Sequence, residues 1–279
     1  MNKFIFVLFS CFILVICFIV YAESTGELKK VVVNEHVEKE KDETIVTEFL
    51  DEVDTTIEKL NALKQTNDYQ STDLFSYMMK EVEVVTPPNE ELQQYIYGQS
   101  KIDGNHIKIV ADQGDQGYQS GKLESIVGFK YGTFTFKIKN VVGNGLFPAI
   151  WLLPTHQDGY PEVDIYEHIG NEPNYVYGVI HTFVDEIYDK ESFRYYVPSY
   201  AIPDEYYLTF TWTKEKLSWY INDVLVLEVT EKVPQEPMYL IMNFAVGGIW
   251  PKAPTPDVTF PATFEFDIVD FQVDEIHKR

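Results

Sequence analysis

The sequence predicts an all-β sandwich. Three observations carry that expectation. The chain holds 19 Tyr, 19 Phe and 4 Trp, and β-branched and aromatic residues favour pleated surfaces. From about residue 133 onward, short segments alternate apolar and polar residues with a period of two, the mark of half-buried strands. No segment with helical periodicity lies between them, which points to packed sheets rather than βαβ units. At 279 residues and 45% hydrophobic content, the chain can bury a sizeable core. Its 22 basic residues against 44 acidic ones leave a formal net charge of −22. That charge argues against nucleic-acid binding and against electrostatic adhesion to anionic lipid.

The N-terminus differs in character from the rest of the chain. Lys3 precedes an apolar run over residues 4–22, and Val20 and Ala22 stand just before Glu23. This suits a secretory signal peptide with a small-residue cleavage site. The run is also long enough to remain as a membrane anchor. Either way Lys3 stays inside and the remainder is exported. The only two cysteines, Cys11 and Cys17, lie within it, so the exported part has no disulfide, thiolate nucleophile or cysteine-bound metal.

Residues 23–65 read as an acidic helical stalk or linker before a main domain at 66–279. Val46, Leu50, Val53, Ile57 and Leu60 recur at heptad-like spacing. A pattern barely two heptads long favours an amphipathic helix lying on the main domain, or frayed in solvent, over a self-associating stalk. Pro87-Pro88 then forbids further helix. Among the strands, Phe134, Phe136 and Ile138 share one face, as do Leu208, Phe210 and Trp212. Leu217, Trp219 and Ile221 lead through Asn222-Asp223 to Val224 and Val226, a hairpin signature. Phe264, Phe266 and Ile268 close the series. Trp212 and Trp219 are expected in the core.

The chemistry lies in Glu162-Val163-Asp164-Ile165-Tyr166-Glu167. Glu162 and Asp164 share a face of the strand that Val163 and Ile165 mark. Glu167 is five residues from Glu162, so a regular strand would turn it inward. Two outcomes are open: a carboxylate buried in the core, or a β-bulge near Ile165–Tyr166 that returns it to the acidic face. The cost of the first favours the bulge. Three carboxylates on one face repel one another, which points to function. Calcium binding is one reason, although it prefers ligands wrapped around a glycine-bearing loop. Glycoside hydrolysis, which needs a paired nucleophile and acid/base, is the other.

The stretch Pro161 to Thr182 (PEVDIYEHIGNEPNYVYGVIHT) resembles the active-site strand of glycoside hydrolase family 16, closest to its laminarinase branch of endo-β-1,3-glucanases. Asn89 to Tyr95, Tyr118 to Lys139, Phe147 to Pro154, Met242 to Pro251 and Phe260 to Val273 resemble further segments of that family, in the same order. The resemblance implies a β-jelly roll of two curved antiparallel sheets with a concave substrate cleft. By position it implies Glu162 as nucleophile, Glu167 as general acid/base and Asp164 as the residue that tunes the nucleophile. It implies Trp151 and Trp250 as sugar platforms, His181 as a cleft histidine and Asn89 as a contact to a distal sugar. No organic cofactor is implied; a structural Ca²⁺ near Asp267 is, in some members. Three departures stand out. Lys122 occupies a position where many members carry Arg, Phe183 to Tyr200 is unlike the expected glycine-rich loop, and the family's usual opening strand, with its Trp and Glu-Phe, is hard to find before Asn89.

The expected protein is a secreted or membrane-anchored retaining endo-glucanase, acting as a monomer on β-1,3-glucan. The alternatives are a relative acting on mixed-linkage glucan or algal galactan, a transglycosylase, and a non-catalytic β-glucan-binding lectin. Product sizing on a polysaccharide panel separates them.

Overall fold

The structure is a computed structural model. It describes residues 50–62, 75, 78–156, 159–184, 187–197 and 205–279. The signal or anchor segment, Val46 and most of the acidic region lie outside these residues. No described helix is long and apolar enough to cross a membrane.

Sixteen strands occur in chain order: β1 (Met79–Glu81), β2 (Gln93–Tyr95), β3 (Ser100–Asp103), β4 (His106–Gly114), β5 (Gly117–Ser120), β6 (Lys122–Ser125), β7 (Val127–Lys139) and β8 (Leu146–Pro154); then β9 (Glu162–Glu167), β10 (Tyr175–Val184), β11 (Ile187–Tyr196), β12 (Glu205–Trp212), β13 (Leu217–Ile221), β14 (Val224–Val229), β15 (Met238–Val246) and β16 (Ala262–Lys278). They form two layers. One runs β11-β10-β9-β8-β15-β6-β1, the other β14-β13-β12-β7-β16-β4-β3. A single pairing, Met238 with Phe129, joins β15 to β7 and links the layers. This is a jelly roll of antiparallel sheets. The parallel pairing of β2 with β5 is a small annex to it.

The alternation seen in the sequence explains the core between the layers. Phe134, Phe136, Ile138, Leu208, Phe210, Trp212, Leu217, Trp219, Ile221, Phe264, Phe266 and Ile268 are all buried. Rings meet across the layers, as in Tyr166 with Phe264 at 5.7 Å and Phe193 with Trp219 at 6.1 Å. Such pairs add to what the burial of their area contributes. Both tryptophans expected in the core are there. Asn222 and Asp223 adopt φ of 47° and 64°, as a two-residue hairpin turn between twisted strands requires. Val224 pairs with the buried Ile221 yet lies exposed at the start of the returning strand, and a register shift follows at Trp219/Tyr220.

Residues 50–62 form a helix. Val53 and Leu60 are fully buried in the core cluster and Ile57 packs against it. The apolar seam therefore covers hydrophobic surface of the main domain. Leu50, at its start, is exposed.

Two glycines let elements approach the cleft layer. An added Cβ on Gly178 would sit 2.3 Å from the Phe193 ring; its absence lets Phe193 lie across β10 against Trp219, tying β11 to the core. Gly247 has φ of 74° and lies against Leu92. There Glu91 bridges to Gly247, bringing the Asn89 segment beside the loop that carries Trp250.

Candidate active site

The register of β9 against both neighbours fixes where its acids point. Against β8, Leu152 pairs with Val163, Trp151 with Asp164, Ile150 with Tyr166 and Ala149 with Glu167. Against β10, His181 pairs with Glu162, Ile180 with Val163, Val179 with Asp164 and Tyr177 with Glu167. Both ladders skip Ile165, which is the extra residue of a β-bulge. Ile165 and Tyr166 both enter the core. Tyr166 stacks on Phe264 and accepts a hydrogen bond from the Tyr206 hydroxyl at 3.2 Å. The parity of the strand is thereby reset. Glu162, Asp164 and Glu167 share one face with Ala149, Trp151, Tyr177, Val179 and His181. The bulge expected near Ile165–Tyr166 is present, and Glu167 does not turn into the core.

The three carboxyl groups differ in their surroundings. Glu162 and Glu167 are half-buried, and Asp164 is buried. Burial raises the Glu162 pKa, with His181 opposing it. Burial and the neighbouring Glu162 charge push Asp164 well above its ordinary range. Glu167 is also pushed well above, by burial and then by the Asp164 charge. His181 Nε2 lies 3.0 Å from Asp164 Oδ2 and 3.8 Å from Glu162 Oε1. That Asp164 oxygen is buried and receives no hydrogen bond, so the contact with His181 is close without being aligned. On the other side of the ring, Nδ1 shares a 2.5 Å hydrogen bond with the Tyr188 hydroxyl. Burial lowers the His181 pKa despite the pull of Glu162 and Glu167. Lys190, paired with His181 across β10 and β11, opposes the rise at Glu167, yet burial leaves all three acids raised above their ordinary values.

Among the described residues, Glu162, Asp164 and His181 are the one group of three metal-binding side chains, with ligand atoms within 4.8 Å of one another. Asp267, at the position where the resemblance implies a structural calcium in some members, lies on β16 in the opposite layer. Its Oδ1 is 2.8 Å from His106 Nδ1, and no such group forms around it among the described residues.

The expected platforms sit at defined places. Trp151 Nε1 donates to Asn243 Oδ1 at 2.7 Å, Asn243 donates to the Tyr95 hydroxyl at 2.9 Å, and Tyr95 donates to Glu91 at 3.2 Å. This chain of bonds holds the indole beside Asp164. Lys122 pairs with Glu124 at 2.7 Å, its ammonium 6.0 Å from the Trp151 ring centre. Trp250 is 41% exposed and packs edge-on against Tyr177 at 4.8 Å and Phe147 at 5.5 Å. Since Tyr177 faces Glu167, Trp250 marks that end of the acidic strand. Asn89 is exposed, and its carbonyl accepts from the Ile249 amide at 2.9 Å, which places the two loops together.

Tyr177 and the residues that hold Trp151 join the site without having stood out among the motifs. Tyr177, Val179 and His181 alternate on β10, a signal visible in the sequence. Asn243, Tyr95 and Glu91 stand in two of the segments that resemble the family, but no local pattern joins them to Trp151, which they reach only through long-range pairing.

A family model of glycosyl hydrolases family 16 matches residues 89–261. A beta-glucanase of Rhodothermus marinus is 30% identical over 212 residues, covering 65% of this chain and 73% of that protein. A glucan endo-1,3-beta-glucosidase A1 of Niallia circulans is 29% identical over 218 residues, covering 65% of this chain but 32% of that protein. In fold, the chain is similar to the laminarinase catalytic domain of Thermotoga maritima, with a TM-score of 0.62 at 24% identity over 72% of this chain and 92% of that one. With the family model spanning more than half of its residues and the bulged acidic strand at the centre of the match, this chain is a member of the glycosyl hydrolases of family 16.

Proposed function

We propose that the protein is a retaining endo-glycosidase that hydrolyses β-1,3-glucosidic bonds in laminarin-like glucans. The observation that carries the reading is the bulge at Ile165, which sets Glu162 and Glu167 on one face with Asp164 between them. The order of proton affinity supports the division of labour. Glu167, pushed well above the ordinary range, keeps the proton that a general acid needs, while Glu162 is raised less and opposed by His181. Glu162 attacks the anomeric carbon as Glu167 protonates the departing glycosidic oxygen. Water, deprotonated by Glu167, then releases the sugar from Glu162, so the product keeps its β configuration. Asp164 tunes Glu162, and Trp151, Trp250, Asn89 and His181 bind and orient sugar. A cleft floor built of rings and acids suits a neutral polysaccharide. The glucan substrate follows the name of the Rhodothermus relative, a beta-glucanase, and the 1,3 linkage that of the Niallia relative alone.

The test is incubation of the full chain with laminarin, lichenan, agarose and carrageenan, with product sizing and anomer assignment by NMR. Laminarin should be cut internally to β-anomeric products. Initial α-anomeric products would overturn retention, and products longer than the substrate would mark a transglycosylase. Binding without cleavage would mark a lectin. We read residues 1–22 as the export signal or anchor of a monomer. N-terminal sequencing of exported protein, with its sedimentation, tests both.

A further inference from the structure

Phe183, where the departure at Phe183 to Tyr200 begins, stands on β10 at the Glu162 end of the cleft. On β10, Tyr177, Val179, His181 and Phe183 succeed one another on the cleft face, two residues apart. Tyr188 of β11 pairs in register with Phe183 and shares that face. Tyr160 precedes the acidic strand and completes a cluster. Its ring lies 4.7 Å from Phe183, 6.0 Å from Tyr188 and 6.4 Å from His181. Tyr188 lies nearly parallel to His181 at 5.8 Å and bonds it through its hydroxyl. Tyr160, Phe183 and Tyr188 are 37%, 50% and 45% exposed. Core packing does not account for them, and an exposed aromatic patch rimmed by polar residues marks a binding surface.

We propose that Tyr160, Phe183 and Tyr188 form an added sugar-binding platform, taking a pyranose ring of the glucan chain beyond the residues held at the acids. The inference rests on the reading of the protein as a glucanase. Continuity with the acids through the Tyr188–His181 contact fixes its place in the same cleft. Its chemistry, ring faces with phenolic hydroxyls, fits the alternating C–H faces and hydroxyl edges of a neutral sugar. With Trp250 and Tyr177 at the Glu167 end, the acids then lie between two aromatic supports, as cleavage within a chain requires.

The experiment measures kcat and KM of the full chain, and of its Phe183→Ala and Tyr160→Ala variants, on laminari-oligosaccharides of increasing length. Binding of the longest to Glu162→Gln, with and without Phe183→Ala, is measured by calorimetry. The expected result is a rise in KM of about 2- to 10-fold on long oligosaccharides, larger than on the shortest one cleaved, with the same loss in calorimetric affinity. Tyr188→Phe keeps the ring and should keep the length dependence. Unchanged KM at every length would overturn the platform while leaving the glucanase reading intact. So would an oligomeric state that changes with Phe183→Ala, which would make the patch a contact between copies. If the wild type cleaves no glucan, the glucanase reading fails. The platform then falls too unless Phe183→Ala weakens binding of another panel polysaccharide.

Discussion

The two faces of the Glu162–Glu167 strand obey opposite rules. Inward, Val163, Ile165 and Tyr166 are completely buried among rings and aliphatic chains, and the Tyr166 hydroxyl is satisfied by Tyr206. Outward, Glu162, Asp164 and Glu167 crowd together, each with its pKa raised by burial. The inward face stabilises the fold. The outward face costs stability at neutral pH and holds the protons that the proposed chemistry uses. Such opposition within six residues is expected where function keeps groups that stability alone would remove.

The comparison can be broken most severely from outside. Glu162→Gln should reduce laminarin hydrolysis to background while the protein still folds, checked by rate assay and circular dichroism. A residual rate near wild type would reassign the nucleophile. Glu167→Gln should cost about 10²–10⁴-fold in kcat.

From inside, Tyr166→Ala should lose about 3–5 kcal/mol of stability, read from denaturant unfolding, since it leaves a large cavity. A loss much smaller than this would mean the bulge does not need its inward ring.

The sign of the outward effect sharpens the contrast. Glu167 holds a proton in the folded state at pH values where the unfolded chain has lost it. The folded state then binds more protons, so stability falls as pH rises from the ordinary carboxylate range through the raised pKa. Glu167→Gln removes that dependence. Its melting temperature should exceed that of the wild type at neutral pH, and the gain should vanish near pH 4. A melting temperature lower at neutral pH would show that the charge is stabilised after all.

Activity should need Glu162 ionised and Glu167 protonated, so the pH–rate profile should be a bell displaced above the usual glutamate range. Asp164→Asn removes a charge that raises the Glu167 pKa. Its alkaline limb should move to lower pH, measured on kcat/KM. The smallest effect is expected from Tyr206→Phe, which removes the donor to Tyr166 at a cost of about 1 kcal/mol, visible as a small shift in the unfolding midpoint.

Much of this architecture is legible in the residues alone. The buried faces of β7, β12, β13 and β16 follow from alternating residues, because side-chain direction on a strand is a local property of parity. The bulge followed from the same parity together with the cost of a buried carboxylate. The aromatic pair Phe183 and Tyr188 stood in a segment that could be recognised only as unusual.

By itself the sequence determined the layered β architecture, the hairpin at Asn222-Asp223 and the cluster of three acids in one strand. These depend on neighbours a few residues away. The tertiary structure alone decided that Ile165 is the residue both ladders skip, that Asn243, Tyr95 and Glu91 hold Trp151, and that Tyr160 meets Phe183 and Tyr188. Each of those depends on which strands pair and in what register, and no local pattern encodes the partner a strand will find.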